Sequence, residues 1–167
     1  MKKLNLLRTV IDIFFIITII ATFGALTWTV SYLFNNNMHG TIKLNGEPFV
    51  PKTNFSKIIM IFGLLCEMMY VYSFYLLRKV VILFQNKRIF DTEVIKLFNQ
   101  IGVLLIALAI ISKTLILVLN IVEKDIKLKL DTQDSFFISI ILGLFFIVIS
   151  AIFKSAKEYK EENELTI

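Results

Sequence analysis

From Ile13 to Phe34 the chain runs for twenty-two residues without a charge, and three later stretches, Ile58 to Leu77, Ile101 to Val122 and Ser135 to Phe153, are almost as uniformly apolar. Polar residues collect between them. A hydrocarbon core of roughly 30 Å needs about 20 apolar residues in a helix rising ~1.5 Å per residue, so each stretch is predicted to cross a bilayer once. Four buried helices of a soluble protein would need a larger polar shell than 167 residues can supply.

Composition strengthens this reading. Hydrophobic residues make up 57% of the chain and charged ones 19%, whereas soluble domains are about 45–50% apolar. The expected fold is an all-α membrane protein, a four-transmembrane-helix bundle with a small extracytoplasmic β-hairpin loop. It forms a single integral membrane domain over residues 1–167, with spans, cytosolic extensions included, at about 10–34, 57–84, 93–122 and 135–160. Lys2, Lys3 and Arg8 resemble the positive region of a secretory signal, but the apolar run after them is too long, so the first span is expected to stay as an anchor.

Basic residues near span ends are retained on the cytoplasmic face during insertion. An even number of spans puts both termini on one side. That side, with the middle loop, carries eleven basic residues: Lys2, Lys3, Arg8, Arg78, Lys79, Lys87, Arg88, Lys96, Lys154, Lys157 and Lys160. The other side carries six: Lys43, Lys52, Lys57, Lys124, Lys127 and Lys129. Both termini are therefore expected in the cytoplasm of a cell (inner) membrane. The net charge of +5 lies at membrane edges, where anionic headgroups are its partner, and direct nucleic-acid binding is not expected.

Cys66 is the only cysteine and His39 the only histidine, so no disulfide, zinc ribbon or redox pair is expected and no cofactor is called for. In the first outer loop, Thr41 to Leu44 and Glu47 to Val50 flank Asn45-Gly46, a pair suited to the positive φ angles of a hairpin turn. Pro48 confines its strand to an edge. Ile42, Leu44, Phe49 and Val50 are expected to rest on the helix ends, as a lid or as an outward-facing sensor.

Glu67 and Lys113 are the most unusual residues, because an ionisable side chain at membrane depth costs at least ~2.5 kcal/mol. Glu67 follows Lys57 by ten residues and Lys113 precedes Glu123 by ten, which puts both about 15 Å below the outer surface. The stripe Gly63, Glu67, Tyr70, Phe74 then faces the stripe Ala109, Lys113, Leu117, Asn120, with Gly63 and Ala109 allowing close approach. Three readings of this intramembrane pair stay open. It is a register-fixing bridge, or two separately solvated groups, or a proton or ion relay.

The cytoplasmic side is richer than bare spans require. Val80 to Phe84 prolong the second span without a breaker, Asp91 or Thr92 is suited to cap the third helix, and Lys154/Glu158, Lys157/Glu161 and Lys160/Glu164 support a polar extension of the fourth. Phe84, Phe90, Leu165 and Ile167 are the candidate partner-docking residues.

The run Asn86-Lys87-Arg88-Ile89-Phe90-Asp91-Thr92-Glu93-Val94, the apolar helix beginning Ile101-Gly102 that follows it, and the ending Glu161-Glu162-Asn163-Glu164-Leu165-Thr166-Ile167 resemble the domain-of-unknown-function 2975 family of bacterial membrane proteins. The resemblance covers nearly the whole chain. It implies four spans, no assigned enzymatic activity, and frequent company of a small helix-turn-helix transcription regulator, which makes the chain the membrane half of a regulator pair. A transporter or channel accessory using Glu67 and Lys113 is the alternative, and homo-oligomers remain open. No HExxH, GxSxG or paired aspartates occur, so an enzyme is not expected.

Overall fold

The computed structural model describes residues 2–34, 42–44, 47–49, 54–122 and 135–165. Four long helices dominate: α1 (Lys2–Phe34), α2 (Asn54–Gln85), α3 (Thr92–Val122) and α4 (Ser135–Leu165). The two prolines of the chain, Pro48 and Pro51, both lie between α1 and α2, so no helix contains the residue that breaks a hydrogen-bond ladder. All four helices are long and apolar enough to cross a membrane, and the chain is a multi-pass membrane protein. At 31 to 33 residues, each helix is roughly 45–50 Å long, well beyond the hydrocarbon thickness.

Between α1 and α2, strands β1 (Ile42–Leu44) and β2 (Glu47–Phe49) pair antiparallel, with Ile42 opposite Phe49 and Leu44 opposite Glu47. Asn45-Gly46, His39 and the second outer loop lie outside the described residues. So do the side chains expected to rest on the helix ends.

The helices form an open bundle in chain order. α1 packs on α2, α2 on α3 and α3 on α4, whereas among the described residues α1 packs on neither α3 nor α4. One end of the molecule gathers the start of α1, the α2–α3 turn and the last turns of α4, because Asn5 is hydrogen-bonded to Gln85 and the Phe90 ring meets Phe153 and Lys160. This is called the turn end below. Its core is built by Leu76, Val80 and Leu83 of α2 with Val94, Leu97, Phe98, Ile101 and Leu105 of α3, sealed by Phe146, Ile149 and Phe153 of α4. Elsewhere apolar side chains face outward on every side, as Phe14, Ile17, Ile20 and Phe23 of α1 and Phe137, Ile141, Phe145 and Val148 of α4 do. Lipid, not water, suits such a surface.

α3 and α4 cross backbone to backbone. A Cβ added to Gly102 would stand 2.6 Å from the carbonyl oxygen of Gly143, and one added to Gly143 would stand 2.8 Å from that of Gly102. The expected close approach at Gly63 does not occur, since no atom lies within 4 Å of where its Cβ would be. Gly63 borders an open cleft instead. Near the same crossing, the Ser150 hydroxyl donates to the Ile95 carbonyl at 2.8 Å and so ties α4 to the first turn of α3.

Candidate functional site

Two regions bring polar or aromatic chemistry together, one at the turn end and one in the opposite half. At the turn end, α2 stops because Lys87 adopts a left-handed conformation with φ of 59°. The Arg88 N–H donates back to the Leu83 carbonyl at 3.0 Å and the Lys87 N–H to that of Phe84 at 3.1 Å. These two bonds satisfy helix-end carbonyls in the manner of a Schellman motif, with lysine where glycine is usual.

Asp91 then starts α3. Its carboxylate accepts the Glu93 backbone N–H at 3.0 Å and is also bound by the Arg88 guanidinium. Of the two residues expected to cap this helix, Asp91 does so, and the exposed donors of the first turn explain why an acidic side chain suits the position. The Glu93 N–H and then Arg88 hold the Asp91 carboxyl below the usual aspartate range. The sign follows directly. A group with a depressed folded-state pKa adds stability above its unfolded value and loses it as pH falls through the folded one. Asp91→Ala is therefore expected to lower the melting temperature in detergent at pH 7, with Asp91→Asn losing less because its amide oxygen still accepts. The gap between wild type and Asp91→Asn should close below about pH 4; a gap that persists there would mean the carboxylate charge is not what matters.

Lys79 of α2 pairs with Glu93 of α3 at 2.7 Å, staking the two helices together beside the cap. Behind the turn, Phe98 sits among Phe153, Phe146 and Phe84 with ring centroids 5.6, 5.9 and 6.1 Å away. Phe84, expected on a docking face, also stacks on Phe153 at 5.7 Å and is half-buried. Its continuation of an apolar helix points it into the α2–α3–α4 core, which corrects that expectation. Phe90 stays at the rim, 41% exposed, with the Lys160 ammonium 5.9 Å from its ring. Ile89 and Tyr159 are exposed beside it. Leu165 is the last helical residue of α4, and its side chain and Ile167 lie outside the described residues.

A polar clasp that the sequence did not disclose joins α1 to α2 at this end. Arg78 Nε lies 2.6 Å from Asp12 Oδ1, and Arg8 Nε lies 3.6 Å from Asp12 Oδ2. Arg8 donates to the Gln85 side chain at 2.8 Å, and Gln85 donates in turn to Asn5 at 3.0 Å. Asp12 and Arg78 are far apart in sequence, so only the antiparallel register of two spans brings them together. The signal available was that each lies near one end of its apolar stretch.

In the other half of the molecule, α1 and α3 both pack on α2 without packing on each other, and a cleft of about 340 Å³ lies between them. α2 forms its floor through Ile59, Met60, Gly63, Leu64, Cys66, Glu67 and Tyr70; α1 contributes Ala25 and Thr29, and α3 contributes Ser112, Leu115, Ile116 and Leu119. Thr29 spends its hydroxyl hydrogen on the Ala25 carbonyl at 2.8 Å. Among the described residues, Glu67 is the one acidic residue of this lining and no basic residue shares it.

Glu67 and Lys113, expected at one depth, do not share this cleft. α3 presents Ser112 to it, and Lys113, one residue on and therefore turned by about 100°, is not part of the lining. The ion pairs formed among the described residues do not join the two. Among the described residues there is also no group of three His, Cys, Asp or Glu close enough to hold a metal ion.

Comparison with known proteins gives one match. The family model described as "Protein of unknown function (DUF2975)" covers residues 41–167, which takes in β1, β2 and α2 to α4. No curated protein and no solved structure matches.

Proposed function

The chain belongs to the DUF2975 family of proteins of unknown function, and from that footing we propose that it is a membrane-embedded docking protein whose turn end holds a soluble partner in the cytoplasm. The observation that carries this reading is the construction of the turn end. Helices more than ten residues longer than a bilayer needs are capped, ion-paired and cemented by phenylalanines there, and the result is a rigid platform with Ile89, Phe90 and Tyr159 on its surface.

The excess of basic residues on the side of the termini and the middle loop supports a cytoplasmic setting for that end. It leaves the β1–β2 ribbon facing outward, in the inner membrane of a bacterial cell. The partner that the family resemblance implies is a small helix-turn-helix regulator, held at the membrane or released from it. The role needs no catalysis.

A transport accessory would use the Glu67 cleft as part of a path. Beyond Tyr70, however, α2 and α3 close over the packed core of Leu76, Val80, Leu97 and Ile101, so the cleft is a pocket with a floor. Photo-crosslinkers placed at Lys87 and at Tyr159 in living cells, read by mass spectrometry, test the docking role. Both should capture the same small DNA-binding protein. Recovery of lipids and the protein itself alone would refute the proposal.

A further inference from the structure

We propose that the cleft between α1, α2 and α3 binds a lipophilic organic cation, its positive charge against the Glu67 carboxylate and its apolar body along Ile59, Ile116 and Leu119. About 340 Å³ is the size of a small-molecule site. The lining is apolar apart from a few convergent polar groups, which is the usual makeup of such sites. An ionised carboxylate at membrane depth is costly to hold without a countercharge. The described residues of the lining supply none, and a cationic ligand would.

Tyr70, one helical turn from Glu67, adds a ring whose face attracts organic cations. Gly63 widens the floor, because nothing lies within 4 Å of its missing Cβ. A zwitterionic lipid headgroup fits less well. It would bring a phosphate along with its amine, and no Lys or Arg among the described lining residues can receive it. The site lies in the half opposite the docking platform, so it neither requires that role nor falls with it.

The test uses the full-length protein in phosphatidylcholine nanodiscs, with tetraphenylphosphonium as the probe and tetraphenylborate as its anionic counterpart of the same shape. Wild-type protein should bind the cation saturably and the anion weakly. Charge-assisted contacts of this kind predict that Glu67→Gln weakens cation binding about tenfold or more. Gly63→Leu, whose Cβ enters open space with no neighbouring helix atom within 4 Å and whose longer branch fills the cleft, should weaken it as strongly while leaving the melting temperature near that of wild type.

Equal affinity in wild type and Glu67→Gln would overturn the proposal, as would anion binding as tight as cation binding. Displacement of the probe when phosphatidylethanolamine is added to the nanodisc would assign the cleft to a lipid headgroup and equally overturn it. Should Glu67→Gln fail to fold, Gly63→Leu decides alone, and undiminished binding there refutes the site.

Discussion

Truncating Phe98 to alanine will destabilise the folded protein in detergent by about 3–5 kcal/mol, the range for removing a buried aromatic side chain that its neighbours cannot replace. Phe98 is 6% exposed and is the ring on which α2, α3 and α4 converge, through Phe84, Phe146 and Phe153. Within a membrane protein the hydrophobic effect contributes little between helices, so the loss is one of packed contacts, which add up over many atom pairs. Phe145→Ala is the matched control. Its ring is 56% exposed on the outer face of α4, and its loss should fall within about 0.5 kcal/mol. Denaturant titration followed by tryptophan fluorescence at Trp28 or by circular dichroism would give both values. Equal losses for the two phenylalanines would mean that the aromatic cluster does not hold the turn end together.

Gly102→Leu should have an effect of similar size by a different route. A side chain at that position meets the Gly143 carbonyl oxygen and the backbone nitrogen of Ile147, and backbone cannot rotate aside as a long side chain can. Overpacking of a tight site costs typically about 1–3 kcal/mol and more where backbone must move. Leucine is at the same time a better helix former than glycine by nearly 1 kcal/mol, so any net loss is a measure of the crossing itself. Gly63→Leu gains the same propensity, and its Cβ meets no neighbouring helix within 4 Å. A stability ranking with Gly63→Leu at or above wild type and Gly102→Leu well below it is the expected result; the reverse order would move the close helix contact from the α3–α4 pair to the α2–α3 pair.

That pair of glycines also marks the boundary of what sequence reading can reach. Span number, span position and the prolongation of α2 past Arg78 follow from length, hydropathy and the absence of proline, because a polar backbone in lipid has few options besides a continuous helix. The start of α3 at Asp91 is equally legible, since capping is a local bargain between a side chain and the next few N–H groups. Helix neighbours are another matter. α1 is apolar all round, so its sequence has no face that names a partner, and its contact stripe of Ile11, Thr22, Thr29 and Tyr32 emerges only in the packed structure.

Glycine on a helix likewise permits close approach without saying where it happens, which is why Gly63 and Gly102 could not be told apart. Glu67 and Lys113 show the same limit in another form. Their depth follows from counting residues, but a single step along a helix turns a side chain by about 100°, and that step separates Ser112, which lines the cleft, from Lys113, which does not. The Asp12–Arg78 contact was hidden for a related reason, because it needs the relative height of two helices to within a turn. Phe84 was misread because an apolar residue beyond the expected membrane edge looks available for a partner, when α4 extends far enough to bury it.

The row-like packing of the helices carries one mechanical implication. Among the described residues α1 is attached along a single neighbour, so a pivot of α1 on its clasp at Asp12 and Arg78 would part no contact within α2, α3 and α4. Such a pivot alters the width of the cleft and leaves the phenylalanine-cemented end untouched. Among the described residues, α2 and α3 are the helices that both border the cleft and build that core, so any coupling between the two ends would run lengthwise through these two central rods.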